Sequence, residues 1–218
     1  LKTGPTANIF VGTVGNQYIG IEGASVGILT NFCGFSKERT FAHGISRLSI
    51  PGGKKTTVAW IYRYMLAGER NPKDLVPFEE LALLELILLH HHCVHLQYDN
   101  LKIKTEGRIR YKLRHMVPGV ITISNIATSI PPALDVAANS IARLMGQPLA
   151  FDYTPYMEFA KSNEEFRSLL EMSIRHILQD RTSFSRKYYG RRHPTPEVVW
   201  AIRYYSCGPS PRVTPKTP

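Results

Sequence analysis

Between Phe78 and Leu96 the chain carries Leu81, Leu83, Leu84, Leu86, Ile87, Leu88 and Leu89, with Glu85 as the interruption of its longest apolar stretch. Read as a helix, this segment is apolar nearly all round, so protein must cover it on most sides. Its longest apolar stretch, Leu81 to Leu89, is too short to cross a bilayer, so no membrane span is expected. The remaining chain therefore has to supply the cover. At 218 residues, 43 % apolar and 20 % charged, it is long enough to bury a core and too apolar for wholesale disorder.

The first fifty residues read as short strands around one helix. Ile9-Phe10-Val11 is a compact apolar run ended by Gly12, and Tyr18-Ile19-Gly20-Ile21 is a second bounded by Gly23. Leu48-Ser49-Ile50 stops at the turn signal Pro51-Gly52-Gly53, and Ser25 to Phe35 between them is apolar enough for a helix. From Lys54 the period becomes helical. Val58, Ile61, Tyr62, Met65 and Leu66 form one stripe, Thr56 or Thr57 offers a cap, and Gly68 supplies the stop. In the basic stretch from Lys102 to His115, Lys102, Lys104, Arg108, Arg110, Lys112 and Arg114 alternate with apolar or small residues, the pattern of a solvated strand face.

The second half reads as helices throughout. Ser124 to Ala127 lies in a short helix ended by Pro131-Pro132, and Leu134, Ala138, Ile141 and Met145 stripe the next. Thr154-Pro155 is a start signal, and Ser162-Asn163-Glu164-Glu165 a capping box ahead of Phe166, Leu169, Leu170, Ile174, Ile177 and Leu178 on one face. Thr195-Pro196-Glu197 starts a last short helix with Val199, Trp200 and Ile202, and the proline-rich end from Gly208 reads as a linker. The fold class expected is α+β: a small sheet covered by helices, with an all-helical C-terminal extension.

Charge and cysteine usage bound the setting. The formal net charge is +10, yet residues 181–218 hold eight Lys/Arg against a single acid, Glu197. The high pI is therefore mostly a property of the tail, which weakens any argument from pI to a nucleic-acid-binding fold. Cys33, Cys93 and Cys207 are widely spaced and odd in number, and no N-glycosylation sequon occurs, which favours an intracellular setting, nucleus or cytoplasm. No signal peptide is visible among Lys2, Gly4, Pro5 and Asn8, and a first residue of Leu reads as the start of a piece of a longer protein.

No complete catalytic constellation is found. In His90-His91-His92-Cys93-Val94-His95, His91 and His95 stand at i, i+4, a spacing two zinc ligands can use. A third ligand is missing, and His92 stands where the H-E-x-x-H motif requires its general base, so the run is expected to be structural and no metal or cofactor is assigned. Lys54 would complete a G-x-x-x-x-G-K-S/T phosphate loop only with Gly at position 48 and Ser or Thr at 55, which are Leu48 and Lys55. Cys33 and Cys93 lie in apolar contexts typical of inert thiols. The chain is read as a non-enzyme.

The element order resembles a BTB/POZ domain of the divergent fungal type over about residues 7–115, followed by BACK-like helices. Ile19-Gly20-Ile21-Glu22 sits where that family has its second strand and histidine, and Thr30-Asn31-Phe32 near its Ser-Pro-aromatic segment. Leu48-Ser49-Ile50-Pro51 matches its third strand's exit, and Val58 to Gly68 its helix closing on Tyr-x-Gly. The division expected is residues 1–117 BTB/POZ-like, 118–180 BACK-like, and 181–218 a basic tail. The resemblance implies an assembly or adaptor platform for protein partners, dimerising through the first helix. Val26, Ile28, Leu29, Phe32 and Phe35 give that helix apolar groups on more than one side, the expected surface for a homodimer. The alternative is a nucleic-acid or chromatin-associated domain using the tail, where Arg186, Lys187, Arg191 and Arg192 would neutralise phosphates beside Tyr188 and Tyr189.

Overall fold

The computed structural model describes residues 4–34, 47–145 and 152–189, with residues 178–189 described by their helical backbone only. The chain divides into two compact units at Lys112 and Leu113.

The first unit opens with β1 (Thr6–Thr13) and β2 (Asn16–Ser25), an antiparallel hairpin whose turn holds Gly15 at φ +89°. Strand β3 (Arg47–Pro51) runs parallel to β1 on its other side, so the order is β2-β1-β3. The register sets Ile9 beside Leu48 and Val11 beside Ile50. All four are buried with Ala7, while Phe10, Arg47 and Ser49 alternate to the other face. There the Arg47 guanidinium lies 4.1 Å from the Phe10 ring centre.

Among the described residues four α-helices follow: α1 (Val26–Phe32), α2 (Lys55–Leu66), α3 (Leu83–Leu96) and α4 (Asp99–His115), which runs past the division. Helix α2 reaches the sheet at Gly20, where an added Cβ would stand 2.9 Å from Val58 Cγ1. It begins two or three residues earlier than its threonines suggested, with Lys54 as cap residue, and ends in a Schellman closure. Gly68 N donates to Met65 O and Glu69 N to Tyr64 O, with Gly68 at φ +64°. Of the expected stripe, Val58, Ile61 and Met65 are buried and Leu66 is exposed; Trp60 and Tyr64 are buried on a second face instead.

The all-round apolar helix is shorter than its pattern. Phe78–Glu80 forms a single 3-10 turn, Leu81 and Ala82 are extended, and α3 starts at Leu83. The break is held locally, because Phe78 N donates to Asn71 Oδ1 and Ala82 N to Glu85 Oε2. Leu83, Leu86, Ile87, Leu89, Cys93 and Leu96 are buried, so α3 is covered on most sides. Each large side chain removed from water there contributes about 1.5–3 kcal/mol. The basic stretch is helix α4 and not a strand. Tyr98, Leu101, Thr105, Ile109 and Leu113 recur at helical spacing and are buried, whereas Ile103 and Tyr111, apolar members of the alternation, are exposed.

The second unit is helical throughout its described residues: α5 (Val120–Ser129), a 3-10 turn at Pro131–Ala133, α6 (Leu134–Leu144), α7 (Thr154–Ser162) and α8 (Glu164–Tyr189). Leu134, Ala138, Ile141 and Met145 are buried as their stripe requires, with Ala137 and Ala142, and Phe166, Leu170 and Ile174 are buried on α8. The caps differ by one or two residues from the sequence reading. Asn163, not Ser162, caps α8, its Oδ1 accepting from Phe166 N at 2.8 Å, and Asp152 Oδ1 accepts from Thr154 N at the start of α7. No helix among the described residues is long and apolar enough to cross a membrane.

Candidate partner-docking cleft

The second apolar face of α2 builds the site. Trp60 stacks on Tyr64 with ring centres 5.1 Å apart and lies 6.2 Å from Phe78. Its indole Nε1 donates to Val76 O at 3.0 Å, which fastens the segment between α2 and α3 to the helix. Asn71 Nδ2 donates to Glu79 Oε2 at 2.9 Å, and the Arg108 guanidinium hydrogen-bonds the Glu79 carbonyl. This segment is therefore a fixed wall rather than a loose loop.

Between the wall, the first turns of α2 and the first half of α3 lies a cleft of about 310 Å³. Trp60, Leu75, Val76, Leu81, Leu84, Leu88 and Leu89 line it, with Glu85 on α3 and Lys54, Thr56 and Thr57 at the start of α2. Val76 and Leu84 are half exposed, at 51 % and 52 %, so the apolar lining continues onto the surface. Sequence reasoning missed this cleft. Its signal was the surplus of apolar residues on α3, which has more apolar faces than a three-stranded sheet can cover, together with Trp60 lying off the α2 stripe.

The histidine run locks the corner where the cleft begins. His92 is fully buried: its Nδ1–H donates to Leu88 O at 2.6 Å, and its Nε2 accepts from Lys54 N at 3.0 Å. That pairing fixes the neutral imidazole, and burial pushes its pKa down to about 4. His91 Nε2 donates to Pro51 O at 2.8 Å, tying α3 to the end of β3. An added Cβ on Gly53 would stand 2.9 Å from His92 Nε2, so glycine allows this approach. The His91 and His95 rings meet edge to face, as i, i+4 spacing allows, with centres 4.5 Å apart. Burial also pushes His90 and His95 below the ordinary histidine value. Among the described residues no group of three or more His, Cys, Asp or Glu is placed to hold a metal ion.

The other residues singled out in the sequence fall elsewhere. Val26, Ile28 and Leu29 are buried within the chain itself, and Phe32 is half-buried with its ring 5.8 Å from that of Tyr98, so the open apolar surface expected on α1 is already covered at these positions. Phe35, Arg191 and Arg192 lie outside the described residues, and Arg186 and Lys187 lie on the backbone-only end of α8. The cations of α4 are largely engaged within the first unit: Lys102 with Asp99 at 3.9 Å, Lys104 with Glu69 at 4.0 Å, Arg110 with Glu106 at 3.2 Å, and Arg108 over the Tyr111 ring. Burial pushes the Cys33 thiol up to about 12 and the Cys93 thiol further still, which keeps both protonated and poor nucleophiles.

No protein-family model, curated protein or solved structure matches this chain.

Proposed function

We propose that the chain is a non-catalytic protein-interaction module, BTB/POZ-like in its first unit with BACK-like helices behind it, that serves as an assembly or adaptor platform. The cleft between α2 and α3 carries this reading: it is apolar, walled by hydrogen-bonded backbone, and continuous with exposed Val76 and Leu84. A pocket near the lower end of the roughly 300–1,000 Å³ range of ligand sites suits the anchor side chains of a partner better than a large cofactor. The element order supports the family part of the reading: two strands, a short helix, a third strand, a helix closed by Gly68 and then the apolar helix.

The test is affinity capture from an extract of the source cells with the wild-type chain and a Val76→Arg/Leu84→Arg variant, both checked by circular dichroism. Proteins held by the wild type and lost from the folded variant support the reading. An identical captured set refutes the cleft as the docking site.

A further inference from the structure

The cleft also says what kind of partner segment it takes, an inference that rests on the docking role just proposed. Its two ends differ in charge. At the α2 end stands Lys54 with Thr56 and Thr57, and Lys55 follows as the first helical residue, exposed like Lys54. No carboxylate pairs with either lysine among the described residues, and α2 starts with no side-chain cap and no acid in its first turn. The positive end of a twelve-residue helix and two free ammonium groups therefore border the same apolar surface. The single carboxylate of the lining, Glu85, already accepts from Ala82 N at 2.8 Å, so it is held at the start of α3.

We infer that the cleft binds an acidic amphipathic segment of a partner protein, with a bulky apolar side chain against Trp60 and Leu88 and an Asp or Glu close by that meets Lys54, Lys55 and the start of α2. Volume and exposure favour a peptide over a small amphiphile. A free fatty acid gains most when most of its surface is enclosed, whereas this cleft opens along Val76 and Leu84 and suits a segment that continues past it there. The wall is fastened in advance by the Trp60–Val76 bond, so little ordering of this side is required on binding.

The experiment selects a phage-displayed random twelve-residue peptide library on the full chain, with counter-selection on the Leu84→Arg variant. Selected peptides are measured by fluorescence anisotropy against the wild type, Leu84→Arg, Val76→Arg and a Lys54→Glu/Lys55→Glu double variant. All substitutions are at exposed positions, and glutamates in the first turn of α2 favour the helix, so each variant is expected to keep its fold, with circular dichroism as the check. The expected result is peptides with Leu, Ile, Phe or Trp near Asp or Glu, bound weakly or not at all by either arginine variant. The lysine double variant should bind them roughly tenfold more weakly, with the difference shrinking at high salt. Leu84-dependent peptides without acidic residues, indifferent to the lysine reversal, would overturn the acidic partner while leaving the docking role intact. Failure to select any Leu84-dependent peptide would overturn both, and selective binding of decanoate in place of peptides would overturn the peptide class.

Discussion

Acid should weaken this protein through His92, and the size of the effect follows from the site. The ring is fully buried, both nitrogens are engaged, and the bond from Lys54 N requires an unprotonated Nε2. Its pKa is about 4 in the folded chain against 6.5 when unfolded, so the unfolded state binds the proton first. The stability this neutral ring contributes is fully present above pH 6.5 and is lost as pH falls toward 4. Each unit of difference corresponds to about 1.4 kcal/mol, which gives a loss of about 2 kcal/mol by pH 5 and about 3 kcal/mol below pH 4. His90 and His95, also depressed by burial, act in the same direction. The Glu79 carboxyl, lowered by its own backbone hydrogen bonding and by Asn71, loses its contribution mainly below its ordinary 4.5 and so largely outside the window. The assay is urea unfolding at pH 7.5, 6.0 and 5.0 for the wild type and His92→Gln, whose side chain keeps an acceptor for Lys54 N without titrating. At pH 7.5 the variant is expected to be about 1–3 kcal/mol less stable, from the lost bond to Leu88 O and altered packing. At pH 5.0 the gap should narrow by about 2 kcal/mol. Parallel pH profiles for the two proteins would refute the argument.

Three further outcomes follow from the structure. Gly53→Ala should destabilise the chain by about 1–3 kcal/mol, because its Cβ would press on His92 Nε2 and on Ile50 O, 3.0 Å away. Gly107→Ala, inside α4 with nothing within 4 Å of the added carbon, should stabilise it by up to about 1 kcal/mol, and paired thermal melts check both signs. Cys33 and Cys93 should resist a thiol-specific disulfide reagent at pH 8 in a native Cys207→Ser chain and react once urea unfolds it; rapid reaction of either in the native state would contradict their burial.

Where a single local pattern sufficed, the sequence was readable. Alternation in Leu48-Ser49-Ile50 placed Leu48 and Ile50 on the inner face, glycine at position 68 closed α2, and the spacing of Leu134, Ala138, Ile141 and Met145 marked the buried face of α6. These features depend on backbone dihedrals and side-chain period, which neighbouring residues determine. What tertiary structure alone decided was how apolar faces are shared. Val26, Ile28 and Leu29 look like a surplus on a short helix until the rest of the unit covers them, and Ile103 and Tyr111 look like one side of a strand until Ile109 and Leu113 take the core. The cleft is of the same kind. Trp60 and Leu84 are 24 residues apart in sequence, and what joins them is a wall held by Trp60 and Val76 and a corner held by His92 and Lys54. Such bonds span long stretches of chain, and burial is a property of the assembled unit, so no window of sequence contains either.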